Sequence, residues 1–121
     1  MLPFFVEGVF LHEMAIAEGI LDIALQETAK SGGKKVVEVG LLLGELSGVE
    51  TEALCFCWES LIKNTAADGA RLKIKRIPLT GRCKICNTEQ AIEKYNFVCG
   101  CGGILEVTGG RELRVEYLEV D

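Results

Sequence analysis

Cys83-Lys84-Ile85-Cys86, then twelve residues, then Cys99-Gly100-Cys101-Gly102-Gly103: four thiols stand in two close pairs on one short segment. A tetrahedral zinc ion takes four thiolates, and two pairs brought together by a short hairpin supply them with little chain to order. The first pair has the two-residue gap of a zinc knuckle. The second has a one-residue gap, a tighter chelate, with glycine on both sides of Cys101. The competing reading is a pair of disulfides or four free thiols. Everything else about the fold depends on how the rest of the chain accommodates this knot.

With 121 residues, the chain has the size of one domain, or one domain carrying a small insert. The net charge of −5 argues against a nucleic-acid partner, because neutralising phosphate needs a basic face. Met1–Leu11 is apolar but carries Glu7 and lacks a basic start or a small-residue cleavage site, so it does not read as a signal sequence. No run approaches the roughly 18–20 apolar residues of a membrane span. The reading is therefore cytoplasmic, where cysteine pairs serve as metal ligands more readily than as disulfides.

Going outward from the knot, Glu13 to Lys30 reads as the first helix. Ile16, Ile20, Ile23 and Ala24 recur at helical spacing, and Ser31-Gly32-Gly33 ends it. Val36 to Leu43 reads as a strand, apolar enough on both faces to be central in its sheet. Ser47 with Glu50 has the spacing of a capping box, which predicts a second helix from there to about Lys63, with Leu54, Trp58, Leu61 and Ile62 inward. Cys55 and Cys57 lie on that helix. Two residues apart means about 200° around the axis, so they read as small hydrophobes and not as a metal pair. Arg71 to Ile77 reads as a strand with Leu72 and Ile74 inward and Lys73 and Lys75 outward, ended by Pro78. Its basic residues read as a solvated face. Inside the knot, Tyr95 and Phe97 are expected to cover the metal. Val107–Gly110 reads as a link, and Arg111 to Val120 as a closing strand.

That last strand needs a sheet to join, and the earlier strands make one. The cysteine module is then an insertion. The expected fold class is α+β: a small three-stranded sheet with two helices, plus an inserted zinc-ribbon-like module. The expected division is 1–79 with 107–121 for the α+β domain, residues 1–10 being an extra extension, and 80–106 for the zinc-binding module.

His12 is the one histidine in the chain, expected just ahead of the first helix. Together with Glu13-Met14-Ala15-Ile16-Ala17, with Gly44-Glu45-Leu46-Ser47-Gly48-Val49, with the cysteine pairs and with Gly110-Arg111-Glu112-Leu113, it forms a set that resembles the HypA/HybF family, in order, over residues 11 to 121. The resemblance implies a nickel metallochaperone that delivers Ni(II) during maturation of [NiFe]-hydrogenase, and in some members serves urease. It implies a nickel site at His12 and Glu13, with imidazole and neighbouring backbone nitrogens, or the Glu13 carboxylate, as ligands. Nitrogen-rich surroundings suit Ni(II). It places Glu50 near that site as a supporting acidic residue. It implies structural Zn(II) on Cys83, Cys86, Cys99 and Cys101. Its partners would be a hydrogenase large-subunit precursor and a GTPase of nickel insertion, with no nucleic acid and no membrane.

Two departures shape further expectations. The family's later cysteine pair resembles Cys-Pro-x-Cys, and here it is one residue shorter. The second knuckle should lack the usual amide-to-sulfur hydrogen bonds and be distorted or weaker. The family also begins with Met directly before His, where this chain has Leu11 after ten further residues. A start at Leu11 is one expectation. If residues 1–10 are present, Phe4, Phe5, Val6, Val9 and Phe10 should pack on a neighbouring chain, giving a homo-oligomer, or on the chain's own sheet as an added strand, and should weaken nickel binding by removing a terminal amine.

No phosphate-binding Gly-x-x-x-x-Gly-Lys-[Ser/Thr] loop occurs, and no nucleophile–base–acid set appears, so the reading is not an enzyme. The alternative function is a zinc-ribbon module binding protein or nucleic acid. A weaker one is a redox protein using Cys83 and Cys86 as an exchangeable dithiol.

Overall fold

The computed structural model describes the chain from Gly8 onward, with side chains from His12. The elements run α1 (Gly8–Lys30), β1 (Val36–Gly44), a short 3-10 turn (Glu45–Ser47), α2 (Thr51–Leu61), β2 (Arg71–Ile77), β3 (Thr80–Cys83), β4 (Glu89–Ala91), β5 (Leu105–Gly109) and β6 (Leu113–Val120). One three-stranded sheet has the order β2-β1-β6 and the other the order β4-β3-β5. The expected α+β class, with two helices, a three-stranded sheet and a cysteine module, is what the chain forms. β1 is central, as its two-faced apolar pattern required.

The chain divides into two compact units. One comprises the chain through Leu41, Val49–Ile74 and Val115–Asp121. The other comprises Leu42–Gly48 and Lys75–Arg114, and so takes in more chain than the stretch 80–106.

In the first unit, Ala17, Ile20, Leu21 and Ala24 of α1 and Leu54, Trp58 and Ile62 at α2 are buried with Val39 and Leu41 of β1. Each large side chain of this kind contributes about 1.5–3 kcal/mol by leaving water. Trp58 is 1% exposed, and its ring nitrogen donates to the Ala70 carbonyl at 3.0 Å, so a buried polar atom is matched. Gly40 of β1 has a packing reason. A Cβ there would sit 2.0 Å from the ring of Tyr117, which lies directly on the strand. At Gly19 a Cβ would meet nothing within 4 Å, so no close approach explains that glycine.

Several boundaries differ from the sequence reading. α1 begins at Gly8, not Glu13, because nothing in Val9-Phe10-Leu11 interrupts helix. His12 therefore lies within the helix, not ahead of it. Gly8–Phe10 are helical too, which overturns the added-strand expectation for that part. Residues 1–7, with Phe4, Phe5 and Val6, lie outside the described residues. Ile23 is 46% exposed, not inward. α2 is capped by Glu50, whose carboxylate accepts from the Glu52 amide, while Gly48 takes a left-handed conformation. The Ser47 capping box does not form, because Glu45–Ser47 is spent on its own 3-10 turn. Leu105–Gly109, partly read as a link, is a strand of the second sheet.

In the second unit β3 pairs antiparallel with both β4 and β5, with Cys83 opposite Leu105. Its core is Leu79, Cys83, Ile92, Cys99 and Leu105, with Leu46, Phe97 and Val107 packed against it. The Gly44 and Leu46 amides donate to the carbonyls of Glu112 (2.6 Å) and Gly110 (2.7 Å), which joins two stretches far apart in sequence. A Cβ on Gly44 would fall 2.1 Å from the Gly110 carbonyl oxygen. The Glu45 carboxylate accepts from the Leu79 amide at 3.0 Å, where the chain passes Pro78 into β3.

Candidate metal sites

Two hairpin tips carry the four cysteines. The first joins β3 to β4. Its ends close through Cys83 N–H to the Thr88 carbonyl (3.0 Å), and the Cys83 carbonyl accepts from Asn87, four residues on, at 2.9 Å. Asn87 takes a positive φ of 62°, a conformation asparagine tolerates. This turn leaves the Ile85 and Cys86 amides free to point at the Cys83 sulfur, at 3.4 and 3.5 Å.

The second tip is flanked by the bridge Val98–Ile104. It closes through Cys99 N–H to the Gly103 carbonyl at 2.8 Å. One residue shorter, it turns by a bond from the Gly102 amide to the Cys99 carbonyl, three residues back, at 2.9 Å. That bond consumes the amide corresponding to the Cys86 amide of the first tip. Cys99 Sγ instead accepts from the Gln90 side chain, Nε2 to Sγ 3.4 Å. Gly103 is required small: a Cβ there would lie 2.6 Å from Cys83 Sγ.

The four sulfurs lie within 4.8 Å of one another. Cys83 and Cys101 are 3.5 Å apart, and Cys86 and Cys99 are 3.6 Å apart. Zn–S bonds of about 2.3 Å in a tetrahedron put sulfurs about 3.8 Å apart, so this donor set fits zinc with little rearrangement. The thiols are unequal without metal. The Cys86 amide, then the Ile85 amide, lower Cys83 against its burial. The hydroxyl and backbone of Thr88 bring Cys86 down to about 6. The Gly103 amide favours the Cys101 thiolate, but the Cys83, Cys99 and Cys86 sulfurs outweigh it and push Cys101 up to about 11. Binding a cation removes that conflict by deprotonating all four. Phe97 packs on this core as expected, whereas Tyr95 is 59% exposed with a positive φ and does not cover it.

Cys55 and Cys57 are free thiols and are not among the four gathered sulfurs. Burial pushes both thiols up, helped by Glu59 at Cys55 and Glu13 at Cys57, which suits small hydrophobes better than ligands.

At α1 the neighbours His12 and Glu13 part company. His12 is exposed. Glu13 is 1% exposed; its Oε2 accepts from the Glu50 amide at 2.7 Å, and its Oε1 is buried without a partner among the described residues. The structure thus joins Glu13 to Glu50 through a carboxylate and a backbone amide, at the start of α2. The Glu50 carboxylate turns to Glu52. Within a helix the His12 and Glu13 amides point back along the axis to carbonyls four residues earlier. They reach a metal beside the imidazole only if the turns before them open.

Sequence reasoning missed Gln90, Thr88, the burial of the Glu13 carboxylate and the close packing of Gly103. Only Gly103 had a signal, its place after the second pair. Among the described residues no helix is long and apolar enough to cross a membrane.

Residues 11–120 match the family model described as hydrogenase/urease nickel incorporation, metallochaperone, hypA. The hydrogenase maturation factor HypA of Geotalea uraniireducens is 42% identical over 113 residues, covering 92% of this chain and all of the relative. Hydrogenase maturation factor HypA 2 of Bradyrhizobium diazoefficiens is 45% identical over 113 residues, with the same coverage. The fold is similar to the solution structure of a HypA protein, with a TM-score of 0.70 at 20% identity, covering 91% of this chain and 96% of that one. It is also similar to that of the nickel metallochaperone HypA from Helicobacter pylori, with a TM-score of 0.63 at 19% identity over 89% and 96% of the two chains.

Proposed function

The chain belongs to the HypA family of nickel-incorporation metallochaperones for hydrogenase and urease, and from that membership we propose that it carries Ni(II) at His12 to a hydrogenase large-subunit precursor. The reading rests on one contrast. The four cysteines are gathered into a closed sulfur cluster inside a small core, while His12 stands open to solvent. A cage of four thiolates retains its metal. A delivery site must release it, and an exposed imidazole with few other donors does so more readily. Zinc is then the resident structural ion on Cys83, Cys86, Cys99 and Cys101, and nickel is cargo.

Glu13 contributes through its backbone nitrogen when the first turns of α1 open, since its carboxylate is engaged with the Glu50 amide. Glu50 supports the site by that same bond. The protein works in the cytoplasm, performs no catalysis itself, and relies on a partner GTPase for nucleotide hydrolysis, in keeping with the lack of a phosphate loop. Residues 1–10 offer a route to self-association. A free-standing zinc-ribbon module for protein or nucleic acid is not favoured, because the family match spans both units and not the ribbon alone.

The test is nickel binding by calorimetry for the full chain and for a chain beginning at residue 11, each with and without His12→Ala. The substitution should weaken nickel binding at least about tenfold, as loss of a principal ligand requires, with zinc content unchanged. Unchanged affinity in the shorter chain would refute His12 as the cargo ligand.

A further inference from the structure

We propose that Gln90 is a positioning residue of the zinc site, supplying to the Cys99 sulfur the hydrogen bond that the shortened second tip cannot give from its backbone. This rests on the reading that the four cysteines hold zinc.

The first tip shows what is being replaced. There the carbonyl of the leading cysteine accepts from a residue four places on, and two amides converge on its sulfur. In the second tip the carbonyl of Cys99 accepts from Gly102, three places on, so that amide is not available to sulfur. That leaves Cys99 as the sulfur of this tip in need of a donor. The Gln90 amide meets it at 3.4 Å.

The placement of Gln90 agrees with this role. β4 has three residues, Glu89–Ala91, of which only Gln90 is partly buried and the other two are exposed. A strand this short would ordinarily turn an apolar residue inward to enlarge so small a core. It turns an amide inward instead, opposite Gly81, and toward a thiolate. Its neighbour Glu89 points away to Arg82 and Thr108. A hydrogen bond to a metal-bound thiolate withdraws electron density from sulfur and fixes its direction, as hydrogen-bonded partners behind other metal ligands do. The expected distortion of the short knuckle is therefore compensated from a neighbouring strand.

The experiment compares wild type with Gln90→Leu, which keeps the volume and removes the donor, in cobalt-substituted and zinc-loaded full-length protein. Wild type should show the d–d and charge-transfer bands of tetrathiolate cobalt. Gln90→Leu should keep the d–d bands, move the sulfur-to-cobalt charge transfer to lower energy, and speed zinc transfer to a chromophoric chelator by about tenfold. Amide-exchange protection in β3 and β5 of the zinc-loaded variant should stay at the wild-type level. A purely space-filling role would lower that protection and leave the charge-transfer energy where it was, and this result overturns the proposal. Wild type without tetrathiolate bands would overturn the zinc reading, and the proposal with it.

Discussion

The two compact units solve the problem of stability by different means. The helical unit buries Trp58, Leu54, Leu41, Val39, Ile20 and more, a core made of carbon. The core cluster around the cysteines has five buried residues, and two of them, Cys83 and Cys99, are themselves candidate ligands. Small cores of this kind ordinarily need a staple to offset the entropy of ordering their chain, and a metal on the four sulfurs would supply one. On the zinc reading, metal in the second unit would not leave without the structure, which makes it unfit as cargo. The first unit stands without metal, so a site on its surface is free to bind weakly and let go.

The largest expected effect tests that contrast directly. Cys83→Ser, or a strong chelator, should bring the zinc-to-protein ratio far below one and unfold the cysteine unit, because apparent zinc-binding energies of about 10–16 kcal/mol in small zinc modules are folding energy. Amide exchange should show protection lost across β3–β5 and retained across α1 and α2. Retained protection in β3–β5 after complete metal removal would mean that the small core is sufficient, and the comparison would fail.

A finer test uses two glycines of the same tip. Gly103→Ala places a Cβ 2.6 Å from Cys83 Sγ, whereas Gly100→Ala meets nothing within 4 Å. Zinc transfer to a chelator should be faster by about tenfold in Gly103→Ala and within about twofold of wild type in Gly100→Ala. Equal rates would show that the sulfurs are not held by this close approach.

How much of this was legible depends on whether a feature lives in spacing or in tertiary contact. The paired cysteines, the central strand β1 and the basic strand β2 were readable because their signals are local and periodic. The start of α1 was misplaced because a polar His-Glu after an apolar run mimics a boundary, although helix simply continues through it. The cap of α2 was misread because Ser47 has the right spacing but lies in a 3-10 turn, and Glu50 takes the role. The burial of the Glu13 carboxylate and the reach of Gln90 to Cys99 were not readable at all. Each links residues brought together only by folding: Glu13 with Glu50, 37 residues away, and Gln90 with a sulfur on another hairpin.

The smallest effect concerns how the first unit holds its sheet where the carbon core does not reach. On the exposed face Glu38 of β1 accepts from Tyr117 of β6 through one carboxylate oxygen, at 2.5 Å, and from Arg71 of β2 through the other, at 2.8 Å. One side chain thus ties all three strands. Tyr117, then Arg71, hold the Glu38 carboxyl below its ordinary range, and Glu38 raises the Tyr117 phenol above its own. The depressed carboxyl contributes stability above its unfolded-state pKa, lost as pH falls through the folded one. The raised phenol contributes stability below about pH 10, the ordinary tyrosine value, lost as pH rises through its folded pKa. Tyr117→Phe keeps the ring on Gly40 and removes only the hydroxyl. It should lower the melting temperature by about 1–3 °C near neutral pH, in keeping with the small worth of exposed polar pairs. The difference from wild type should narrow on both sides, toward acid and toward strong alkali. A pH-independent difference would assign the loss to packing on Gly40 and remove the carboxylate bridge from the account of this sheet.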